Sequence, residues 1–95
     1  MLSLTNMRWI MKEFEYTIRD RLGIHARPAS MITKKASMFE SKIELQHKGK
    51  TIDMKRIFSL MSLAIKYNDC VKVTIWGKDE EEAYGELVKL FDENL

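Results

Sequence analysis

The sequence predicts an α+β fold, an open-faced β-sandwich in which three helices cover one face of a four-stranded, mostly antiparallel sheet. Four segments alternate apolar and polar residues, which is the pattern of a strand that buries one face. Three further segments repeat apolar residues at the helical period. The segments follow one another in the order βαββαβα. Because each strand is apolar on one face only, all the helices should cover that same face.

Length and composition limit what the chain can be. Its 95 residues suffice for one modest core, and 45% hydrophobic with 32% charged residues is the composition of an ordinary globular domain. A net charge of +2 without a basic run argues against binding to nucleic acid or to a membrane surface. The first ten residues lack the features of a signal peptide and are too few to span a bilayer, so no membrane insertion is expected.

Cysteine and histidine usage indicates a reducing compartment and no metal centre. Cys70 is the only cysteine, so no internal disulfide can form, and a cytoplasmic location is expected. The chain has no Cys/His cluster of the kind that holds a structural zinc ion. We therefore expect neither a metal site nor a cofactor.

The domain is expected to comprise residues 11–95. Phe14, Tyr16 and Ile18 alternate with polar residues just after Met11 and define the first strand. Residues 1–10 show no such pattern and are treated as an N-terminal extension of unknown role.

The first helix begins immediately behind a histidine. Residues 20–23 form a turn, and an apolar stripe then continues through Ala29, Ile32, Ala36 and Phe39. Pro28 fits the first turn, where its missing N–H would have no helical partner in any case. His25 is therefore expected at or just before the N-cap.

A hairpin and a short helical segment follow. Residues 42–46 and 51–54 alternate as strands around a turn at residues 47–50, in which His47 is expected to be solvated.

The segment from residue 55 to about residue 67 is apolar on nearly all sides. Its predicted core-facing residues are Leu60, Leu63 and Ala64. Ile57, Phe58 and Met61 lie on another side, and periodicity alone leaves them evenly balanced between core and docking surface.

The last strand and helix complete the pattern. Asn68 tolerates a left-handed conformation and suits the turn before a strand that buries Val71, Val73 and Ile75. Asp79 is the expected N-cap of the final helix, with Glu82 three residues later as in a capping box. Residues 80–82 are expected to form a solvated acidic first turn. The inward stripe of this helix is Ala83, Leu87, Leu90 and Phe91.

The residues around His25 suit phosphoryl chemistry. A lone histidine near a helix start is usually a capping or surface residue. Here the free N–H groups of the first turn and the positive end of the helix dipole attract phosphate, and Arg27 adds a planar cationic fork. A neutral imidazole in that setting can be phosphorylated.

The motif GIHARPA at residues 23–29 resembles the phosphorylation site of HPr, the histidine-containing phosphocarrier of the bacterial phosphoenolpyruvate-dependent sugar phosphotransferase system. Residues 55–63, KRIFSLMSL, resemble the short second helix of the same family. The resemblance extends from about residue 11 to residue 95. It implies a carrier that takes part stoichiometrically in a phosphotransferase chain rather than an independent catalyst.

The resemblance also implies roles for individual residues. His25 matches the histidine that accepts phosphate on Nδ1, rather than on Nε2, from phosphorylated enzyme I and passes it to a sugar-specific enzyme IIA. Arg27 matches the arginine beside the phosphoryl group, and Ala26 the residue whose backbone begins the phosphate-binding turn. Ile57, Phe58 and Met61 match residues that dock on partner proteins.

One position departs from the pattern of many Gram-positive relatives. Their regulatory serine at the start of the second helix is Arg56 here, and an arginine cannot accept phosphate at that position. We therefore expect control by serine phosphorylation to be absent.

Two other functions fit parts of the pattern. An RNA-binding module of similar element order needs aromatic side chains on the open sheet face, where only Trp76 is suitable, so nucleic-acid binding is disfavoured. The stronger alternative is a regulatory paralogue that binds proteins without phosphoryl transfer; retention of His25 and Arg27 argues against it. A monomer is the expected oligomeric state.

Overall fold

The computed structural model describes residues 11–95, so the proposed N-terminal extension lies outside the described residues. No helix within this range is long and apolar enough to cross a membrane. The order βαββαβα is as predicted. The elements are β1 (Lys12–Thr17), α1 (Ala26–Ser37), β2 (Lys42–His47), β3 (Lys50–Asp53), α2 (Ile57–Ser62), β4 (Cys70–Trp76) and α3 (Glu80–Asn94).

The four strands form one sheet in the order β1-β4-β2-β3, and all three pairings are antiparallel. Val73 of β4 lies opposite Phe14 of β1 on one side and Leu45 of β2 on the other. Leu45 in turn lies opposite Ile52 of β3. This register brings the apolar residues of all four strands to one face, which is the face that the helices cover.

The core lies between that face and the helices, as predicted. Helix α1 buries Ala29, Ile32 and Ala36, and α3 buries Leu87 and Phe91 together with other members of its apolar stripe. The Phe91 ring meets the rings of Phe14 and Tyr16 nearly edge-on, with centroids 5.4 and 5.6 Å apart, so α3 is packed on β1.

The start of α3 differs from the prediction. Asp79 is the N-cap residue, but its carboxylate makes no cap hydrogen bond; it accepts instead from the backbone N–H groups of Glu40 and Ser41 and from the Ser41 hydroxyl. Glu80, expected to be solvated, is buried, and its Oε1 accepts the Gly77 N–H at 3.0 Å. Asp79 and Glu80 therefore satisfy the backbone of loops, whereas Glu81 and Glu82 are exposed, as predicted.

The prediction of a solvated His47 is wrong. The side chain is only 5% exposed, and its Nε2 lies 2.8 Å from Oδ2 of Asp69. The tight hairpin turn itself is as predicted: Lys48 and Gly49 both have positive φ, 48° and 83°. His47 is the last residue of β2 and belongs to the buried side of that strand.

Helix α2 is shorter than predicted. It ends at Ser62, with Leu63 as its C-cap, and the chain then turns at Ala64, which has a left-handed φ of 50°. Ala64 is exposed and does not face the core, whereas Leu60 and Leu63 do. Asn68 has a φ of 72°, as predicted for the turn before β4.

Candidate functional site

A glycine fixes the loop that leads into α1. Gly23 has a φ of +68°, and a Cβ atom there would lie 2.2 Å from the Ile65 carbonyl oxygen. That same oxygen accepts the N–H of Ile24 at 3.0 Å. Only glycine allows this close approach, so the loop before His25 is held against the segment that follows α2.

His25 is the N-cap residue of α1, at the position the sequence predicts. Its backbone is extended, with φ −90° and ψ −175°, and its carbonyl oxygen accepts the Ala29 N–H at 2.9 Å. The imidazole makes no capping hydrogen bond and is part-exposed, with 37% of the side chain accessible. The imidazole is thus held at a helix N-terminus without capping it.

The surroundings of the ring favour a bound anion. The first turn of α1 contains no acidic residue, and its backbone N–H groups have no helical partner. Arg27, in that turn, is exposed. A small cleft of about 50 Å³ is lined by Asp20, His25, Arg27, Pro28, Met31 and Asn94.

Two polar residues of this lining, Asp20 and Asn94, were not predicted as part of the site. Oδ2 of Asp20 lies 3.9 Å from Nε2 of His25. Asn94 comes from the last turn of α3, where its Nδ2 donates to the Leu90 carbonyl oxygen at 2.9 Å. The sequence could have indicated Asp20, because it lies in the turn five residues before His25. It could not have indicated Asn94, which is distant from His25 in sequence.

Two of the three predicted docking residues are exposed on α2. Phe58 is 85% exposed and Met61 40%, while Ile57 is part-buried and packs on the core. Helix α2 contacts α1, and the segment that follows it bonds to the loop before His25 through Ile65. The apolar surface of α2 is therefore on an element adjacent to the histidine loop.

Comparison with known proteins gives a consistent result. The sequence model of the family described as "PTS HPr component phosphorylation site" matches residues 12–93. The phosphocarrier protein HPr of Mycoplasma genitalium is 41% identical over 85 residues, which cover 88% of this chain and 97% of that protein.

Solved structures agree with the sequence comparison. A crystal structure of HPr from Thermoanaerobacter tengcongensis superposes with a TM-score of 0.81 at 38% identity and covers 85% of this chain and 91% of its own. The Bacillus subtilis catabolite repression protein Crh, described as a domain-swapped, intertwined dimer, superposes with a TM-score of 0.69 at 34% identity, covering 84% of this chain and 92% of its own. On sequence and fold together, this chain belongs to the HPr family of the phosphotransferase system.

Proposed function

We propose that residues 11–95 form a phosphoryl carrier in which His25 accepts phosphate on Nδ1 from phosphorylated enzyme I and passes it to a sugar-specific enzyme IIA. The observation that supports this most is the position of His25 as an N-cap residue whose ring makes no cap contact, beside the exposed Arg27. Membership of the HPr family supports the same role.

The proposed step exchanges one N–P bond for another. The lone pair on Nδ1 of His25 attacks phosphorus, the bond to the donor imidazole breaks, and its electron pair returns to the donor ring. The phosphoryl oxygens meet the guanidinium of Arg27 and the backbone N–H groups that begin at Ala26. The attacking group is the imidazole itself, so the proposal includes no cofactor and no metal ion.

A carrier must also release what it binds. Each charge-assisted hydrogen bond to the phosphoryl group is worth about 1.5–3 kcal/mol net. The cleft beside His25 is small, with a volume of about 50 Å³, and Arg27, which lines it, is exposed to solvent. A few such bonds position the group for in-line transfer without trapping it.

We assign partner docking to Ile57, Phe58 and Met61. A phenylalanine that is 85% exposed on a soluble domain is a natural contact for an apolar partner surface. Arg56, the N-cap of α2, stands where the resemblance implies a regulatory serine, so we propose that control by serine phosphorylation is absent. A bacterial HPr kinase that phosphorylates this protein would contradict that proposal.

The alternative function is regulation by protein binding without phosphoryl transfer. It is favoured by one observation, the similarity to the catabolite repression protein Crh. That relative is also described as a dimer, whereas we propose that this chain acts as a monomer in the cytoplasm.

The test is incubation with phosphoenolpyruvate and enzyme I, followed by intact mass measurement. We expect one acid-labile phosphoryl group, absent from His25→Ala, and nuclear magnetic resonance of the ¹⁵N-labelled ring should locate it on Nδ1. His47 is the only other histidine of the chain, and peptide mapping should leave it unmodified. A folded protein that gains no phosphoryl group beside an active control HPr would favour the regulatory alternative.

A further inference from the structure

The carboxylate of Asp20 is held in one orientation beside His25. Its Oδ1 accepts the Leu22 N–H at 2.8 Å, its carbonyl oxygen accepts the Gly23 N–H at 2.9 Å, and its own N–H donates to the Leu95 oxygen at 2.7 Å. With Oδ1 occupied in this turn, Oδ2 is the atom that lies 3.9 Å from Nε2 of His25.

This arrangement bears on the tautomer of the imidazole. A carboxylate can only accept hydrogen bonds, so it favours the ring that carries its proton on the nearest nitrogen, Nε2. At 3.9 Å the interaction is electrostatic or is bridged by one water molecule. The ring with a proton on Nε2 has its lone pair on Nδ1.

We infer that Asp20 is a positioning residue that selects the nucleophilic tautomer of His25. The inference rests on the proposed function, in which Nδ1 is the acceptor. Asp20 does not touch the phosphoryl group in this assignment and acts only through the imidazole.

The carboxylate of Asp20 also stabilises the phosphorylated ring. When Nδ1 of the neutral ring forms the N–P bond, no proton leaves Nε2, and the imidazole ring becomes cationic. The negative charge of Asp20 then faces that N–H and offsets the new positive charge. In the reverse step the N–P bond electrons return to Nδ1, and the proton is still on Nε2.

Two substitutions separate this role from a purely structural one. In Asp20→Asn, the amide oxygen can keep the Leu22 N–H bond, which turns the NH₂ group toward His25. An NH₂ donor pairs with a lone pair on Nε2 and so favours a proton on Nδ1, the wrong tautomer for attack. Asp20→Ala removes the turn contact but presents no donor to the ring.

We therefore expect Asp20→Asn to be the more damaging substitution. Single-turnover transfer from phosphorylated enzyme I should be slower in Asp20→Asn than in Asp20→Ala by roughly three- to tenfold, the effect of one hydrogen bond of ordinary net strength. The ¹⁵N chemical shifts of the neutral His25 ring should show a larger share of the Nδ1-protonated form in Asp20→Asn than in the protein without the substitution.

Asp53→Asn is the matched control for the ring spectrum. Oδ1 of Asp53 accepts the Lys55 N–H at 2.9 Å, the same turn contact that Asp20 makes to Leu22. It lies in the connection between β3 and α2, so its substitution should leave the His25 tautomer unchanged.

The outcomes separate the two proposals. An unchanged tautomer of His25 in Asp20→Asn would overturn the role of Asp20. Slower transfer in Asp20→Ala than in Asp20→Asn would also overturn it, because that ranking is the one expected if Asp20 only forms the turn. If the protein without any substitution accepts no phosphate from phosphorylated enzyme I, the proposed function fails. The ring spectrum still decides whether Asp20 sets the tautomer.

Discussion

His47 Nε2 lies 2.8 Å from Oδ2 of Asp69, and this contact joins the end of β2 to the turn before β4. The same Asp69 oxygen accepts the Lys66 N–H at 2.9 Å, and the Asp69 carbonyl oxygen accepts the Ile18 N–H at 2.9 Å. One aspartate thus connects three separate segments at one end of the sheet.

The pH dependence of stability should reflect this contact. The Lys66 N–H, and after it the hydrogen bond from His47, hold the pKa of Asp69 below its usual range. Because the folded pKa lies below the unfolded value of about 3.9, the stabilisation is fully present above that value and is lost as the pH falls through the folded pKa. Asp69→Asn should therefore be less stable than the unmodified protein at neutral pH, with the difference shrinking in acid.

Urea unfolding across the range from about pH 7 to pH 3 measures this difference. His47→Asn is the companion variant. Since the Lys66 N–H is the larger cause of the lowered pKa, most of the acid dependence should survive in it. A stability difference for Asp69→Asn that does not change with pH would contradict the assignment.

The glycines should respond to alanine in three different ways. Gly49→Ala, with a φ of +83° and open space around the new Cβ, should cost about 1–2 kcal/mol for the left-handed backbone alone. Gly23→Ala should cost more, because a Cβ there also meets the Ile65 oxygen at 2.2 Å. Gly85→Ala, in open space within α3, should stabilise by about 0.5–1 kcal/mol.

Thermal and urea unfolding of the three variants would give this ranking. An equal loss of unfolding free energy in Gly23→Ala and Gly49→Ala would mean that the loop before His25 moves away from Ile65 without penalty. Loss of protection of the Ile24 amide in Gly23→Ala would show that movement directly, because that amide donates to the Ile65 oxygen.

Replacement of Arg27 should slow phosphoryl transfer without unfolding the protein. Arg27→Ala removes one or two charge-assisted hydrogen bonds to the phosphoryl group and should slow transfer by about ten- to a hundredfold. Arg27→Lys should recover only part of the rate, because an ammonium lacks the planar fork.

Arg21→Ala is the control in a transfer assay with phosphorylated enzyme I. Arg21 lies in the same loop, but its guanidinium stacks over the Tyr67 ring at 5.7 Å. Loss of activity in Arg21→Ala equal to that in Arg27→Ala would point to general loop charge instead of a phosphate contact.

The docking assignment predicts weaker binding with unchanged stability. Phe58→Ala should weaken binding to enzyme I by about 1–2 kcal/mol, or roughly five- to thirtyfold in Kd, since the ring is exposed and free to enter a partner surface. Met61→Ala should act in the same direction. Calorimetric titration provides the affinities.

Trp76→Ala is the matched control. Trp76 is a comparably large exposed residue, 52% accessible, but it lies on the open face of the sheet, opposite the helices. If Trp76→Ala weakens binding as much as Phe58→Ala does, the docking surface is not on α2. Reduced stability of Phe58→Ala would instead assign its ring to the core.

Local sequence pattern determined the fold. Alternation in Val71, Val73 and Ile75 fixes which face of β4 is buried, and the stripe through Ala29, Ile32 and Ala36 does the same for α1, because side-chain direction follows directly from the period of each element. The position of His25 at the helix start was equally local, since a cap depends on its immediate neighbours. The catalytic and docking roles assigned to these residues stay predictions.

Only the tertiary structure decided where the polar side chains find partners. His47 is paired with Asp69, 22 positions later, because the order β1-β4-β2-β3 places β4 beside β2. The Asp79 carboxylate accepts the N–H of Ser41, 38 positions earlier, instead of capping its own helix. The periodicity of the sequence does not predict such contacts. A buried polar group needs a hydrogen-bond partner close to it in space, and which residue that is depends on how distant segments pack together.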